Sequence, residues 1–204
     1  MSIETFPITT LGGAAAAVVD KLGKDMADGD PRQISAERLK RLLSYDPESG
    51  QFTWLAREVR NHFDRIWNTR YAGTIPNYRN SYGYILISID GRRHFAHRLA
   101  WLYMTGAWPK DDIDHINLQR DDNRWCNLRE ATRSENKANT SLSAANKSGI
   151  KGVHWHRKYQ KWHANIKVRG KAFFLGSFST AEEAREAYEA AARKHFGEFA
   201  RTRS

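Results

Sequence analysis

The sequence predicts an α+β protein of small antiparallel sheets and short helices, ending in a second unit of three strands and one helix. Three observations carry this. "GYILISIDGRRHFAH" alternates Tyr84, Leu86 and Ser88 against Ile85, Ile87 and Ile89, then breaks at Asp90–Gly91, the strongest short hairpin signal. Thr132 and Glu135 form a capping box that opens a helix after a polar stretch. Beyond Ser148, three strand-like segments precede the capped amphipathic pattern "STAEEAREAYEAAA".

The elements follow in order. Residues 1–33 are rich in Ala, Gly and Asp and end in "ADGDP", a loosely ordered leader. Their apolar run, Leu11–Val19, is too short to span a bilayer, and no Lys or Arg precedes it as a secretion signal would require. This reads as a cytoplasmic protein with no membrane partner. Ser35 caps a helix carrying Leu39, Leu42 and Leu43 at helical spacing. "DPESG" is a turn and "QFTWL" a strand; the hairpin comes next. "RLAWLYMTGAWP" predicts a short buried helix stopped by Gly106 and Pro109. The capping box predicts a helix from about Arg133 toward Leu142, and "SAANKSG" is a break. The domains are therefore 34–142 and 148–204, joined by a linker at 143–147. In the second, "GVHWHR", "KWHANIKVRG" and "KAFFLGSF" are strands, and Ala184, Ala187, Tyr188 and Ala191 form one face of a helix stopped by Gly197.

Composition narrows the partners. The chain has 204 residues, 40% hydrophobic, with seven Trp, eight Tyr and nine Phe, which excludes a disordered protein. A net charge of +10 expects a polyanion, nucleic acid first and an anionic membrane surface second. A single cysteine, Cys126, excludes a disulfide framework and a CxxC zinc site; it reads as a small core residue.

The chemistry concentrates in "DHINLQRDDNRWCNLREATRSEN", residues 114–136. Asp114 and His115 are adjacent, and Asn127 and Asn136 stand nine positions apart. Hydrolysis of a phosphodiester needs a base for water, neutralisation of charge on the phosphate, and a route for the 3′ oxygen to leave. An imidazole is the natural base near neutral pH, and hard oxygens of Asp and Asn suit Mg²⁺ or Mn²⁺. Neighbours on a strand point to opposite faces, so Asp114 and His115 can share one site only if the strand bends there.

These residues, with "YDPESGQFTW", "GYILISIDG" and "AHRLAWLYMTGAWP" upstream, resemble the HNH endonucleases of the phage homing branch over about residues 44–140. The resemblance implies a ββα-metal (His-Me finger) core. It makes Asp114 the first metal ligand, His115 the general base, Asn127 the residue that pins the loop, and Asn136 the second ligand, holding Mg²⁺ or Mn²⁺. The chain departs from that branch at Leu118, where Gly is usual. Beside the implied metal site, Arg124, Arg129 and Arg133 are candidate phosphate contacts; Arg98 could reach a phosphate or lie on a helix surface. His97 reads as a structural hydrogen-bonding residue.

From Ser148 to Ala181 there are seven Lys or Arg and no Asp or Glu, interleaved with Trp155, His156, Tyr159, Trp162 and His163. A basic sheet with aromatic and amide side chains suits a DNA groove. "GVHWHRKYQKWHANI" and "FFLGSFSTAEEAREAYEAAA" resemble the AP2/ERF DNA-binding domain. By position the resemblance makes His154, His156, Tyr159, Trp162, Asn165, Lys167 and Lys171 DNA contacts. It departs at His154 and His156, where Arg is usual, so no sequence preference transfers. Trp155 reads as core against the helix. About five phosphate contacts would give a log–log salt slope of roughly −4.5.

Together the resemblances imply a phage-type homing endonuclease that nicks double-stranded DNA with one divalent metal, leaving 5′-phosphate and 3′-hydroxyl. No obligate protein partner is evident, and dimerisation is the route to a double-strand break. The alternative is a non-catalytic DNA-binding regulator that retains the scaffold; an RNA-binding protein is a third.

Overall fold

The computed structural model describes residues 33–142 and 145–201. All but the last residue of the predicted leader, and residues 143 and 144 of the predicted linker, lie outside the described residues.

The first unit assembles around paired short strands. Helix α1 (Ala36–Leu42) starts where the Ser35 hydroxyl accepts the Arg38 amide at 3.2 Å. It runs into β1 (Leu43–Asp46), which pairs antiparallel with β2 (Gln51–Trp54). Strands β3 (Leu86–Ile89) and β4 (Arg92–Phe95) form the predicted hairpin. Its turn residues Asp90 and Gly91 have φ of 50° and 77°, both left-handed, as a two-residue turn matching the strand twist requires. Helix α3 (Ala96–Thr105) stops at Gly106, φ 79°. Leu39, Leu43, Ile87, Leu99 and Leu102 are almost wholly buried where α1, α3 and the hairpins meet. Each such side chain contributes about 1.5–3 kcal/mol.

Helix α2 (His62–Tyr71) goes unread in the sequence although Phe63, Ile66, Trp67 and Tyr71 stand at helical spacing; it buries none of its residues. It is held by local chemistry instead. Asn61 and Asp64 form a capping box, the Asn68 amide bonds both backbone groups of Arg57 at 2.8 Å, and Trp67 packs edge-on against Trp54.

Strand β5 (Asp112–His115) pairs antiparallel with β6 (Leu128–Ala131), and α4 (Arg133–Asn139) follows directly and packs on β5. The predicted capping box is present, the Thr132 hydroxyl accepting the Glu135 amide at 3.3 Å. The helix ends at Asn139 instead of continuing toward Leu142. Thr140 turns extended, and Lys151 donates to the carbonyls of Ala138 and Thr140 at the helix end.

The second unit is the three-stranded sheet β7 (Val153–His156), β8 (Lys161–Val168) and β9 (Lys171–Phe178), crossed by α5 (Ala181–Phe196). Val153, Ala164 and Ile166 pack under Ala184, Tyr188, Ala192 and Phe196; Ala187 and Ala191 of the predicted face are half-buried. Ala138 of α4 joins this core, so α4 is a wedge between the two units. Two single-residue expectations fail. Cys126 is exposed, on a 3-10 turn at Trp125–Asn127. Trp155 is 40% exposed on the edge strand β7, where it packs edge-on against Trp162.

Candidate active site

Asp114 and His115 are both buried, at 3% and 5% exposure. The bend expected for a shared site is absent, since the ladder with β6 stays regular through His115. The two side chains use opposite faces of β5, and both faces are covered. Asp114 lies across the ladder from Arg129 and under α4; His115 lies across from Leu128, with its ring 5.0 Å from that of His97 and 6.0 Å from that of Tyr84.

The loop from Ile116 to Asn127 is tied to itself. The Leu118 amide closes a turn on the His115 carbonyl at 2.9 Å, with Leu118 at φ 66°. The left-handed conformation explains why a Gly is usual at this position: a Cβ there costs about 1–2 kcal/mol. Asn127 spans the loop, its oxygen accepting the Asn117 amide at 3.0 Å and its nitrogen donating to the Asp122 carbonyl at 2.8 Å. Asp122 is held by Arg124 and Asn117, which bring its carboxyl down to about 2. The β1–β2 turn backs the loop: Tyr45 donates to the Asn123 carbonyl at 2.6 Å, the Trp125 amide donates to Pro47, and Gly50 packs so closely that a Cβ would lie 2.3 Å from the Arg124 nitrogen.

Asn123 is 2% exposed, and its Oδ1 is 3.3 Å from Nε2 of His115. An amide oxygen is an acceptor only, so this contact puts the imidazole proton on Nε2 and leaves Nδ1 with a free lone pair. Burial pushes the His115 pKa down, against the opposing pull of Asn123 and Asp114. The ring is therefore neutral at neutral pH. His97 is buried too, but its Nδ1 has no hydrogen-bond partner among the described residues; it packs on Phe95 and Tyr84 instead of holding a hydrogen bond through that atom.

Two amides of α4 face two carboxylates of β5. Residues two apart share a strand face and residues three apart share a helix face. Asn136 donates to Asp112 at 3.3 Å, and Asn139 donates to both oxygens of Asp114 and to the His115 carbonyl, each at 3.0 Å. Arg129 completes the surroundings of Asp114, with Nη2 2.9 Å from Oδ2. Carboxylate and amide oxygens are the donor types a hard divalent cation takes, but here both amides turn N–H groups to carboxylates, and Asn136 is paired with Asp112 instead of Asp114. No cluster of three acidic, His or Cys side chains suited to a metal occurs among the described residues.

The candidate DNA contacts do not share one surface. Arg124 is engaged by Asp122, and Arg129 by Asp114 and the Glu198 carbonyl. Arg133 is exposed and lines a cleft of about 700 Å³ between α4 and the C-terminal sheet, with Lys137, Asn165, Lys167 and Arg169. The ladder puts His154, His156, Asn165 and Lys167 on the face away from α5, where His156 stacks at 4.4 Å on His163 and at 4.7 Å on Tyr159. Trp162 and Lys171 lie on the α5 side.

Sequence reasoning did not single out Asn123, Asn139 or Gly50. Gly50 had a local signal in the "DPESG" turn; the two Asn had none, since their partners are set by how loop and helix close on β5.

Comparison with known proteins places this region. The family model described as HNH endonuclease matches residues 94–138, which include β5, its loop, β6 and most of α4. Protein 3.8 of Escherichia phage T7 is 32% identical over 113 residues, 55% of this chain and 90% of that protein. An uncharacterized HNH endonuclease of Acanthamoeba polyphaga mimivirus is 31% identical over 116 residues, 56% of this chain and 59% of that protein. No solved structure matches.

Proposed function

The chain belongs to the HNH endonuclease family, and from that premise we propose that it is a metal-dependent endonuclease that nicks double-stranded DNA, leaving 5′-phosphate and 3′-hydroxyl ends. The observation that carries the reading is the buried, neutral His115, held at Nε2 by Asn123 with Nδ1 free, one residue from the Asp114 carboxylate. Nδ1 takes the proton from the attacking water. Asn127 keeps the loop closed so that Asn123 stays on the ring. Asp114 and Asn136 would hold the cation, with the amide of Asn139 beside Asp114. A bound Mg²⁺ or Mn²⁺ supplies neutralisation of charge on the phosphate and the departing 3′ oxygen.

The C-terminal unit, read as an AP2-like module, supplies DNA affinity through the open sheet face. The cleft that joins Arg133 to Lys167 and Arg169 gives the backbone a basic path from that sheet to α4. A homing-type role inside a phage-infected cell follows from the same reading.

The test is supercoiled plasmid with Mg²⁺ or Mn²⁺. Nicking is expected, with His115→Ala lowering its rate about 10²–10⁴-fold while DNA binding persists. One observation favours the regulator reading instead: Arg129 already balances the charge of Asp114. Intact plasmid across metals and DNA substrates, with binding retained, would establish that alternative.

A further inference from the structure

Arg129 is engaged in two places at once. Its Nε and Nη2 lie 3.0 and 2.9 Å from Oδ2 of Asp114. Its Nη1 donates to the Glu198 carbonyl at 3.1 Å, and the guanidinium lies 3.8 Å over the Phe199 ring. Glu198 and Phe199 form the 3-10 turn that follows α5. One side chain, itself 13% exposed, thus joins the catalytic strand to the end of the C-terminal unit. The Glu198 carboxylate is 3.9 Å away and 77% exposed, so the carbonyl and the ring make the contact, not the ion pair.

We propose that Arg129 is a positioning residue that couples cation binding at Asp114 to docking of the Glu198–Phe199 turn, the two opposing each other. This rests on the reading of Asp114 as a cation ligand. A carboxylate offers about four lone-pair sites. Oδ2 receives Nε and Nη2 of Arg129 and a share of the Asn139 amide, whereas Oδ1 receives the Asn139 amide alone. Arg129 therefore fixes the plane of the carboxylate and leaves Oδ1 as the open side. Guanidinium and cation also draw on the same negative charge, in a site where solvent screens little. A cation on Oδ1 weakens the hold of Asp114 on Arg129, and Arg129 in turn loosens its hold on the turn. Linkage is reciprocal: whatever factor the cation imposes on the turn, the turn imposes on the cation. With the turn docked, the cation site is at its weakest; movement of the C-terminal unit on DNA strengthens it.

The experiment uses the full chain and does not depend on cleavage. Mn²⁺ affinity is measured by calorimetry, and hydrogen exchange is followed at the Ala200 amide, which bonds Gly197 at 3.1 Å across the turn. Phe199→Ala should tighten Mn²⁺ binding about 5-fold or more, the lower range of such couplings, and Phe199→Tyr should restore the wild-type value. Mn²⁺ should speed Ala200 exchange in the wild type. Without any metal, Asp114→Asn should also speed it, because Arg129 loses its anchor. Equal Mn²⁺ affinity in wild type and Phe199→Ala overturns the coupling while leaving the nuclease reading intact, as does unchanged exchange in Asp114→Asn. If the wild type takes up no Mn²⁺, the cation-site reading fails and the coupling with it, whatever the exchange shows.

Discussion

The amide of Asn139 lies 3.0 Å from both carboxylate oxygens of Asp114, while the amide of Asn136 lies 3.3 Å from Asp112. The helix thus carries two similar side chains with separable tasks. Asn139 is 5% exposed and also bonds the His115 carbonyl. Asn139→Ala leaves the buried Oδ1 of Asp114 without its donor and removes one of two donors from the His115 carbonyl, and should cost about 1–3 kcal/mol in denaturant unfolding. Asn136 is half-buried and makes one long contact, so Asn136→Ala should cost under about 1 kcal/mol but abolish metal-dependent nicking. Equal stability losses in the two variants would refute this division.

Much of this region is legible before folding is considered. The Asp90–Gly91 turn, the Ser35, Thr132 and Thr180 caps and the buried alternation of Ile87 and Ile89 are local signals, and the structure reproduces them. Asn139 was invisible because nothing within α4 distinguishes it from Asn136; the packing angle of α4 on β5 assigns each its carboxylate. Arg129 reads as a phosphate contact because it is a base beside the implied metal site, but the β5–β6 register aims it at the Asp114 carboxylate itself. Helix α2 carried a signal that went unused, Phe63, Ile66, Trp67 and Tyr71 at helical spacing behind the Asn61 cap, although none of them ends up buried.

Leu118 closes its turn at φ 66°. Glycine lacks the Cβ that makes this conformation costly, whereas alanine keeps it. Leu118→Gly should therefore be more stable than Leu118→Ala by about 1 kcal/mol, even though glycine is the more flexible residue unfolded. Chemical denaturation of the two variants gives the comparison directly. Alanine equal to or better than glycine would mean that the turn is not left-handed.

Gly50 and Gly91 both have positive φ, 72° and 77°, but differ in what surrounds them. A Cβ on Gly50 meets the backbone at Arg124 and Asn123, at 2.3 and 2.4 Å; a Cβ on Gly91 meets nothing within 4 Å. Gly91→Ala should cost about 1–2 kcal/mol, the left-handed penalty alone. Gly50→Ala adds overpacking of about 1–3 kcal/mol. Since the displaced backbone carries Asn123, the Gly50 variant should also lose nicking at temperatures where it remains folded. Retained full activity would show that the loop tolerates the shift.

His97 should make stability fall in mild acid. Burial, then the nearby positive charges of His115 and Arg98, lower its pKa from 6.5 to about 3. The unfolded chain binds the proton more readily than the folded one. The contribution is therefore complete above pH 6.5 and lost progressively as pH falls from 6.5 toward 3. At 1.36 kcal/mol per unit, this group alone should cost about 2 kcal/mol between pH 7 and pH 5. His97→Phe keeps an aromatic ring against Phe95 and Tyr84 and removes the proton site, so its unfolding free energy should decline less over that interval by about that amount. His97→Gln, also unable to titrate there, should show the same flattened profile even if it starts from a lower stability. Parallel pH profiles for wild type and both variants would mean that His97 takes up its proton without leaving the fold.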